Sequence, residues 1–465
     1  MNEYYIKFGS LKIGIGIILV LSLFTINPLA TFLAILYLPV SAKLLWKKNE
    51  PPVLFFALLM QWAQVCVKVL YADYIFQDFG NLFLYFTDIH KAYYYSLSSL
   101  YAINIGIFLV LRNKEPITFE VIKKKFEDYN LKKVTITYII ATATLPFIIL
   151  VSYLIPGTQQ FFVKLLDLKW ALFFMLFCRY FLFDVNKKII YIILVLEILM
   201  SFTGYFSSFK DFFFIGGIAY IFVKRSFSLV NYMFSSVIVV LLFNLLVVWQ
   251  YVKPEYRKYL SGGENAQSVT VSKSDALLKL YDLTSESENI RYEDAVVTLL
   301  DRMAYIDIFS AAITYVPHAK PHEEGRLWFD AISRIFMPRI LFPNKSIIDD
   351  TGKTITYTGL PFAGSESGTS ISLGYVAETY IDFGYPLMLI PLLLWGVLIG
   401  LIFNYIIKNS YNELWGYALI MPFTFQINLF ETALDKAFGS MIFFVLICWF
   451  LNKYVIKKID QYITN

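Results

Sequence analysis

The chain has 465 residues, of which 58% are hydrophobic and only 16% are charged. A soluble globular protein of this length would need far more polar side chains to cover its surface, so the composition excludes that class and indicates a membrane protein. The formal net charge of +5 is modest. It matches the lysine excess of cytoplasmic membrane loops and gives no reason to expect a nucleic-acid partner.

Apolar runs of about 18 to 24 residues recur along the chain, and each is long enough as a helix to cross a hydrocarbon core of roughly 30 Å. The alternating pattern of a transmembrane barrel is absent. The first run follows Lys7 and Lys12 without a small-residue cleavage site, so we expect it to be retained as a span. The pattern predicts an all-α polytopic membrane protein with about twelve transmembrane helices. The predicted spans lie near residues 11–26, 28–46, 52–72, 96–111, 134–155, 168–184, 188–204, 211–223, 229–250, 385–404, 414–430 and 438–454.

Basic residues in the short connections predict how the chain is oriented. They collect after the even-numbered spans and are densest between Arg112 and Lys133. Both termini are therefore expected in the cytoplasm. Residues 1–250 then carry helices one to nine, residues 251–384 form one large extracytoplasmic loop, and residues 385–465 carry the last three helices and a cytoplasmic tail.

The external position of the loop limits its chemistry. ATP and nucleotide sugars are cytosolic, so a reaction in the loop must use a substrate delivered in or through the membrane. Within the loop we expect a short helix over 275–281. Helical spacing of apolar residues predicts an amphipathic helix from Glu293 to about Thr314. A second helix is expected from Glu323, and it must end by Met337 because Pro338 disfavours helix in the residue before it. Residues 338–345 contain two prolines and are predicted to be extended.

Five basic residues of the loop are the main candidates for ligand binding. Guanidinium groups bind phosphate oxygens bidentately and stay charged at any physiological pH, so a cluster near the membrane surface suits a lipid-linked diphosphate. The two arginines that lie four residues on either side of Asp330 also fit a solvated salt ladder with that residue. The five are Arg302, Arg326, Arg334, Arg339 and Lys345.

His318 and His322 are candidates for proton transfer, because an unperturbed histidine has a pKa near neutrality. Pro321 between them disfavours one helical face for both. A metal site would need more ligands, and Glu323 and Glu324 are the only near ones. We therefore predict no metal and no cofactor, and the alternative for each histidine is an exposed loop residue.

Glu378 and Asp382 lie four residues apart just before the tenth span, so a helix would place both carboxylates on one face at the membrane interface. Glu378 is a candidate catalytic base, and capping at the interface is the alternative for both. Lys210 lies at the outer turn after the seventh span. It would add a cation to the same site, or belong to a plain turn.

Several of these residues lie in short motifs that resemble a known family. They are Leu-Leu-Asp-Arg302, Gly325, the segment from Pro338 to Lys345, and Ala-Glu378-Thr-Tyr-Ile-Asp-Phe-Gly384. Together with twelve predicted spans and one large late external loop, they resemble the bacterial O-antigen and polysaccharide repeat-unit polymerases of the Wzy type. The topology matches over the whole chain, and residue-level similarity covers Arg302 to Gly384.

The resemblance implies a transferase of lipopolysaccharide and polysaccharide biosynthesis in the bacterial plasma (inner) membrane. It would move a growing glycan from undecaprenyl diphosphate to a hydroxyl of another lipid-linked repeat unit, without nucleotide sugar or metal. Its partners would be the lipid-linked oligosaccharide, membrane lipid and a chain-length regulator. The functional loop arginines of the family correspond here to Arg302 and Arg339, while the outer turn with Lys210 carries lysine where arginine is expected.

On this interpretation Arg302, Arg339 and Lys345 hold the diphosphate and stabilise the leaving group. Glu378, His318 or His322 takes the acceptor proton. Three alternatives stay open: an O-antigen ligase, a transporter or flippase of lipid-linked glycan, and an accessory scaffold for another glycosyltransferase. A transporter would be expected to place polar groups in the middle of its spans and to show related halves.

Overall fold

The computed structural model describes most of the chain. The described residues are 8–47, 49–83, 88–114, 119–154, 159–183, 187–204, 209–224, 229–263, 269–285, 291–337, 341–342, 344–362 and 370–464. Within these ranges the regular structure is entirely helical, with no β-strand.

Twenty-one α-helices follow one another in the described residues. The first half contains α1 (Phe8–Ser22), α2 (Pro28–Leu45), α3 (Val53–Tyr74), α4 (Ile89–Leu111), α5 (Phe119–Asp128), α6 (Leu131–Leu154), α7 (Gln159–Leu166), α8 (Leu168–Leu182), α9 (Lys188–Ser201), α10 (Phe209–Val223) and α11 (Leu229–Leu260). The second half contains α12 (Lys273–Ser285), α13 (Tyr292–Met303), α14 (Ile306–Tyr315), α15 (Arg326–Ile335), α16 (Asp350–Thr358), α17 (Tyr375–Phe383), α18 (Leu389–Asn409), α19 (Glu413–Phe423), α20 (Leu434–Leu451) and α21 (Lys457–Thr464).

Six helical segments in the described part of the chain are long and apolar enough to cross a membrane. They are Pro28–Leu45, Val53–Tyr74, Ile89–Leu111, Asn231–Leu260, Leu389–Asn409 and Leu434–Thr464. Helices also occupy the other six predicted positions, as α1, α6, α8, α9, α10 and α19. The protein is therefore an all-helical chain with six candidate membrane-spanning helices.

Glycines allow α4 and α18 to pack closely along much of their length. A methyl group added at Gly396 would overlap the Ile103 carbonyl oxygen, and one added at Gly106 would overlap the Leu393 carbonyl oxygen. Gly400, one turn after Gly396, also meets the backbone of α4. This small-xxx-small spacing lets two apolar helices approach until their backbones touch.

The helix that contains the ninth predicted span, α11, extends beyond residue 250. α11 continues to Leu260, because buried Val252, Tyr256 and Leu260 recur every four residues and keep one face of the helix inside the protein. The predicted helix from Glu293 to Thr314 was also wrong as a single element. It is two helices, because the Tyr305 amide leaves the helical ladder and donates a 3.0 Å hydrogen bond to a carbonyl oxygen of α3.

Candidate functional site

Four basic side chains from three helices lie within electrostatic range of Lys210 or Lys253, and we refer to them as the cationic cluster: Lys210, Lys253, Arg257 and Arg302. Lys210 lies in the first turn of α10, Lys253 and Arg257 lie one turn apart near the end of α11, and Arg302 lies in the last turn of α13. Lys210 is within electrostatic range of Arg257 and Arg302, and Lys253 is within range of all three others. The structure thus brings together the predicted residues Lys210 and Arg302.

Aromatic packing holds the backbone beneath the cationic cluster. Phe209, the residue before the lysine on α10, stacks on Phe202 with ring centroids 4.7 Å apart and meets the Trp249 ring at 5.9 Å. Tyr256 on α11 donates a 2.9 Å hydrogen bond from its hydroxyl to the Phe202 carbonyl oxygen. These rings bury large apolar surfaces in fixed geometry, so the ends of α9, α10 and α11 form a rigid base.

Glu431 is the carboxylate that contacts the cationic cluster directly. Arg302 Nη1 donates a 2.9 Å hydrogen bond to Glu431 Oε2. Burial lowers the pKa of Arg302, but the neighbouring carboxylate raises it by more, so the guanidinium pKa lies above its ordinary value. The turn that carries Glu431 is tied to α3 by hydrogen bonds of 2.6 and 2.7 Å between backbone atoms and the side chains of Gln61 and Gln64.

Positive charge exceeds negative charge in the cationic cluster. Burial is the largest cause of a lowered pKa at Lys210, and the positive charges of Arg302 and Arg257 lower it further against the opposing effect of nearby carboxylates. Neither Lys210 nor Lys253 forms an ion pair within the described residues. An excess of cations of this kind, at the ends of apolar helices, is suited to a multivalent anion.

Asp167 is an acidic residue on the edge of the same region. It lies in the turn between α7 and α8, where it accepts a 3.2 Å hydrogen bond from Gln426 and lies 3.8 Å from the Lys164 ammonium. Burial raises the pKa of Asp167 to about 6. Asp211 lies within electrostatic range of both Asp167 and Lys210, which connects this carboxylate to the cationic cluster.

A second group of charges has buried carboxylates at its centre and the exposed Lys436 at its edge, and we call it the buried ionic network: Asp350, Lys353, Glu378, Asp435 and Lys436. Lys353 Nζ contacts Glu378 Oε1 at 3.1 Å and Asp435 Oδ2 at 3.6 Å. Lys436 pairs with Asp350. The network joins α16, α17 and the first turn of α20, because each buried carboxylate needs a cation or donor nearby.

Glu378, predicted as a catalytic base, belongs to this buried ionic network. Its side chain is 1% exposed, and its second carboxylate oxygen accepts a 2.8 Å hydrogen bond from the Leu434 amide. Burial raises the pKa of Glu378 to about 7, against the opposing charge of Lys353. Buried Tyr305 lies within electrostatic range of Glu378 and of Arg302, so it is near both the network and the cationic cluster.

Asp382 has a structural role in this conformation. It lies on α17 with Glu378, as the spacing predicts, but the two carboxylates have different partners. Asp382 accepts hydrogen bonds from the amides of Leu327 at 3.0 Å and Trp328 at 2.9 Å, at the start of α15. It therefore caps a neighbouring helix, which is the alternative that the sequence left open.

Arg326, in the first turn of α15, is paired locally. It donates to Glu323 Oε2 at 2.8 Å and to the Tyr357 hydroxyl at 3.0 Å. Burial raises the pKa of Glu323, but hydrogen bonds from Tyr357 and from neighbouring cations lower it by more, so the pKa lies below its ordinary value. Within the described residues Arg326 forms no ion pair with Asp330, so this half of the salt ladder is absent.

Arg334 and Lys345 close the other end of α15. Lys345 Nζ donates to the carbonyl oxygens of Arg334 at 2.6 Å and Met337 at 3.0 Å. Arg334 in turn donates to the Ser346 carbonyl oxygen at 2.8 Å. Cations at a helix C-terminus satisfy its last carbonyl groups, so both side chains stabilise this helix end. Arg339, the other predicted arginine of this segment, lies outside the described residues, as does Pro338.

The two predicted histidines differ in their surroundings. His318 is exposed. His322 is half-buried, with Nδ1 3.1 Å from the Ile381 carbonyl oxygen and its ring 5.5 Å from the Tyr380 ring. Among the described residues no group of three or more histidine, cysteine, aspartate or glutamate side chains is arranged to hold a metal ion.

Sequence reasoning missed Lys253, Arg257, Glu431 and Asp167 as site residues. A signal for the first two exists, because they are four residues apart directly after an apolar run and flank the aromatic Tyr256. Because the ninth span was predicted to end at residue 250, Lys253 and Arg257 were assigned to the loop. Glu431 and Asp167 carry no local signal, since each is defined by partners far away in sequence.

Comparison with known proteins gives one result. No curated protein and no solved structure matches the chain. A family model does match residues 77–458, which is most of the sequence. The chain therefore belongs to the family described as "Domain of unknown function (DUF8712)".

Proposed function

We propose that the protein is a glycan polymerase of the bacterial inner membrane, with twelve spans, both termini in the cytoplasm and residues 251–384 outside. It transfers a polysaccharide chain from undecaprenyl diphosphate to a hydroxyl of another lipid-linked repeat unit. The observation that supports this function best is that Lys210, Lys253, Arg257 and Arg302, from three helices, lie within electrostatic range in one cationic cluster.

The chemistry of the donor matches the charge of the cationic cluster. A lipid-linked diphosphate holds its negative charge at the level of the membrane surface. Lys210, Arg257 and Arg302 lie in the first or last turn of their helices, and Lys253 lies one turn before Arg257. Cations fixed in advance stabilise charge that develops on a leaving diphosphate without reorganisation. Glu431 would orient the Arg302 guanidinium through their 2.9 Å hydrogen bond.

The acceptor hydroxyl must lose a proton, and we assign that role to Asp167. Its pKa, raised by burial to about 6, lies near the operating pH that favours a general base. Glu378, His318 and His322 remain rival bases from the sequence. Glu378 is enclosed by the buried ionic network, and the His322 Nδ1 atom lies 3.1 Å from a backbone carbonyl oxygen.

Most of the remaining predicted residues contribute to the proposed function by holding α15 and the segments next to it in place. Arg334 and Lys345 satisfy the end of the helix, and Arg326 joins its start to α16. Arg339 keeps the diphosphate-binding role that the family resemblance implies. A chain-length regulator remains the proposed protein partner.

Purified protein in lipid vesicles, incubated with lipid-linked repeat units, tests the function. A ladder of products on a gel is expected, without nucleotide sugar or added metal. Transfer that occurs only to lipopolysaccharide core would identify a ligase, and movement of glycolipid across the vesicle without a new bond would identify a flippase. Either of these results overturns the polymerase assignment.

The base is identified by comparing four variants in the same assay: Asp167→Asn, Glu378→Gln, His318→Asn and His322→Asn. We expect the Asp167 variant alone to lose at least about 100-fold in rate, the range typical of losing a general base. Binding of the lipid-linked donor should be retained. Full activity of that variant would exclude Asp167 from proton transfer.

A further inference from the structure

The surface of α15 is divided into three sectors. Leu327 and Ala331 are buried against the protein. Phe329, Ile332 and Phe336, which follow one another at helical spacing on the adjacent flank, are exposed, with Phe329 at 71% and Phe336 at 76%. The third sector is polar. It carries Arg326, Asp330, Ser333 and Arg334.

Aromatic contacts fix the depth of α15 relative to two candidate membrane spans. The Trp328 ring lies 6.4 Å from the Trp395 ring on α18 and 5.5 Å from the Phe438 ring on α20. Trp395 follows the start of α18 by six residues and Phe438 follows the start of α20 by four. At 1.5 Å per residue, the rings that Trp328 contacts therefore lie about 6 to 9 Å along these two helices from their first residues.

A candidate membrane span that α15 contacts also exposes large apolar residues. Leu387, Ile390 and Leu394, at the start of α18, have more than half of their surface exposed. They lie within a few residues of Trp395, whose ring Trp328 contacts. Isolated exposed apolar residues need no explanation, but several at one level of a span indicate a surface that lipid covers.

We infer that α15 is an interfacial helix that inserts Phe329, Ile332 and Phe336 into the lipid leaflet on the side of residues 291–384. Its three sectors face protein, acyl chains and water, and its depth matches the roughly 5 to 10 Å at which amphipathic helices sit in the headgroup boundary. The occupant of this surface is the bilayer and not a second protein. This inference is independent of the proposed transferase activity.

The capping contacts explain how the helix keeps this position. Asp382 holds its start and Lys345 holds its end. Both ends are thus satisfied by protein groups, so the helix needs no water at its termini when its apolar flank lies in lipid.

Site-directed spin labelling of the full chain in phosphatidylethanolamine and phosphatidylglycerol vesicles tests the inference. Labels are placed through Phe329→Cys and Phe336→Cys, with Asp330→Cys as the matched control on the polar sector. The three native cysteines, Cys66, Cys178 and Cys448, are buried. They are replaced by alanine in all variants.

Labels at positions 329 and 336 should be several-fold more accessible to oxygen than to a water-soluble nickel reagent, and the label at position 330 should show the reverse. Equal access of the nickel reagent to all three positions would place the helix in water and overturn the inference. Spin–spin broadening between copies at position 329 would instead show a protein–protein contact and also overturn it. Each variant is checked for a single folded species by size-exclusion chromatography before measurement.

Discussion

Arg302 and Glu431 are joined by a 2.9 Å hydrogen bond, although 129 residues separate them in sequence. The Arg302 side chain is 53% exposed, so the pair is open to solvent and contributes little to stability, on the order of 0 to 1 kcal/mol. The pair instead joins α13 to the turn before α20 and so holds the Arg302 guanidinium in the cationic cluster.

We therefore predict that Arg302→Ala abolishes long-chain product in the vesicle assay while the thermal midpoint changes little. Arg302→Lys should recover only part of the activity, because a lysine cannot form bidentate contacts with phosphate. Arg291→Ala is the matched control, since Arg291 precedes the same helix and pairs only locally, 3.4 Å from Asp294. Equal loss of activity in both alanine variants would contradict a specific role for Arg302.

Lys253 and Arg257 should govern donor affinity. Alanine at either position is expected to weaken binding of inorganic pyrophosphate by about tenfold or more, because a charge-assisted hydrogen bond contributes roughly 1.5 to 3 kcal/mol. The effect should shrink at high salt. Lys258→Ala, an exposed basic residue on the same helix, should leave affinity unchanged. Isothermal calorimetry at two salt concentrations makes the measurement, and identical constants for all three variants would exclude a site at the cluster.

Glu378 should make stability depend on pH. Its pKa rises from an ordinary 4.5 to about 7 in the folded protein, so the folded state binds this proton more tightly than the unfolded chain does. The protonated form of Glu378 contributes its full stabilisation below about pH 4.5. As the pH rises to about 7, about 3 kcal/mol of this stabilisation is lost.

Glu378→Gln removes this titration while keeping the size of the side chain. The difference in thermal midpoint, wild type minus variant, should therefore fall steadily between pH 4.5 and 7.5 in detergent. A difference that stays constant, or that grows with pH, would show that the carboxyl group is ionised throughout.

The contact between α4 and α18 should tolerate no side chain. Gly396→Ala is expected to destabilise the protein by about 1 to 3 kcal/mol, because its new methyl group meets backbone atoms of Ile103 that cannot yield. Gly216→Ala is the control, since nothing lies within 4 Å of a methyl group added there. Thermal unfolding in detergent compares the two, and a similar midpoint for both would mean that the helices separate readily.

The sequence alone predicted the helices because the property that defines them is local. An apolar run long enough to span hydrocarbon carries its own signal, and a helix lies at each of the twelve expected positions. α15 was also predicted, from its amphipathic spacing and the proline after it. α16 was not, because Thr351, Gly352 and Thr354 are weak helix formers, and the helix depends on the Asp349 cap and on burial of Tyr357.

Tertiary structure decided which charges meet. From the sequence, Arg302, Arg334 and Lys345 were all candidate ligand-binding cations of one loop, yet the first belongs to the cationic cluster and the other two close a helix end. Glu378 and Asp382 share a helix and have unrelated partners. The length of an apolar run is determined by residues that are neighbours in sequence. The partner of a charged group instead depends on which distant helix ends pack together, and only the folded molecule contains that information.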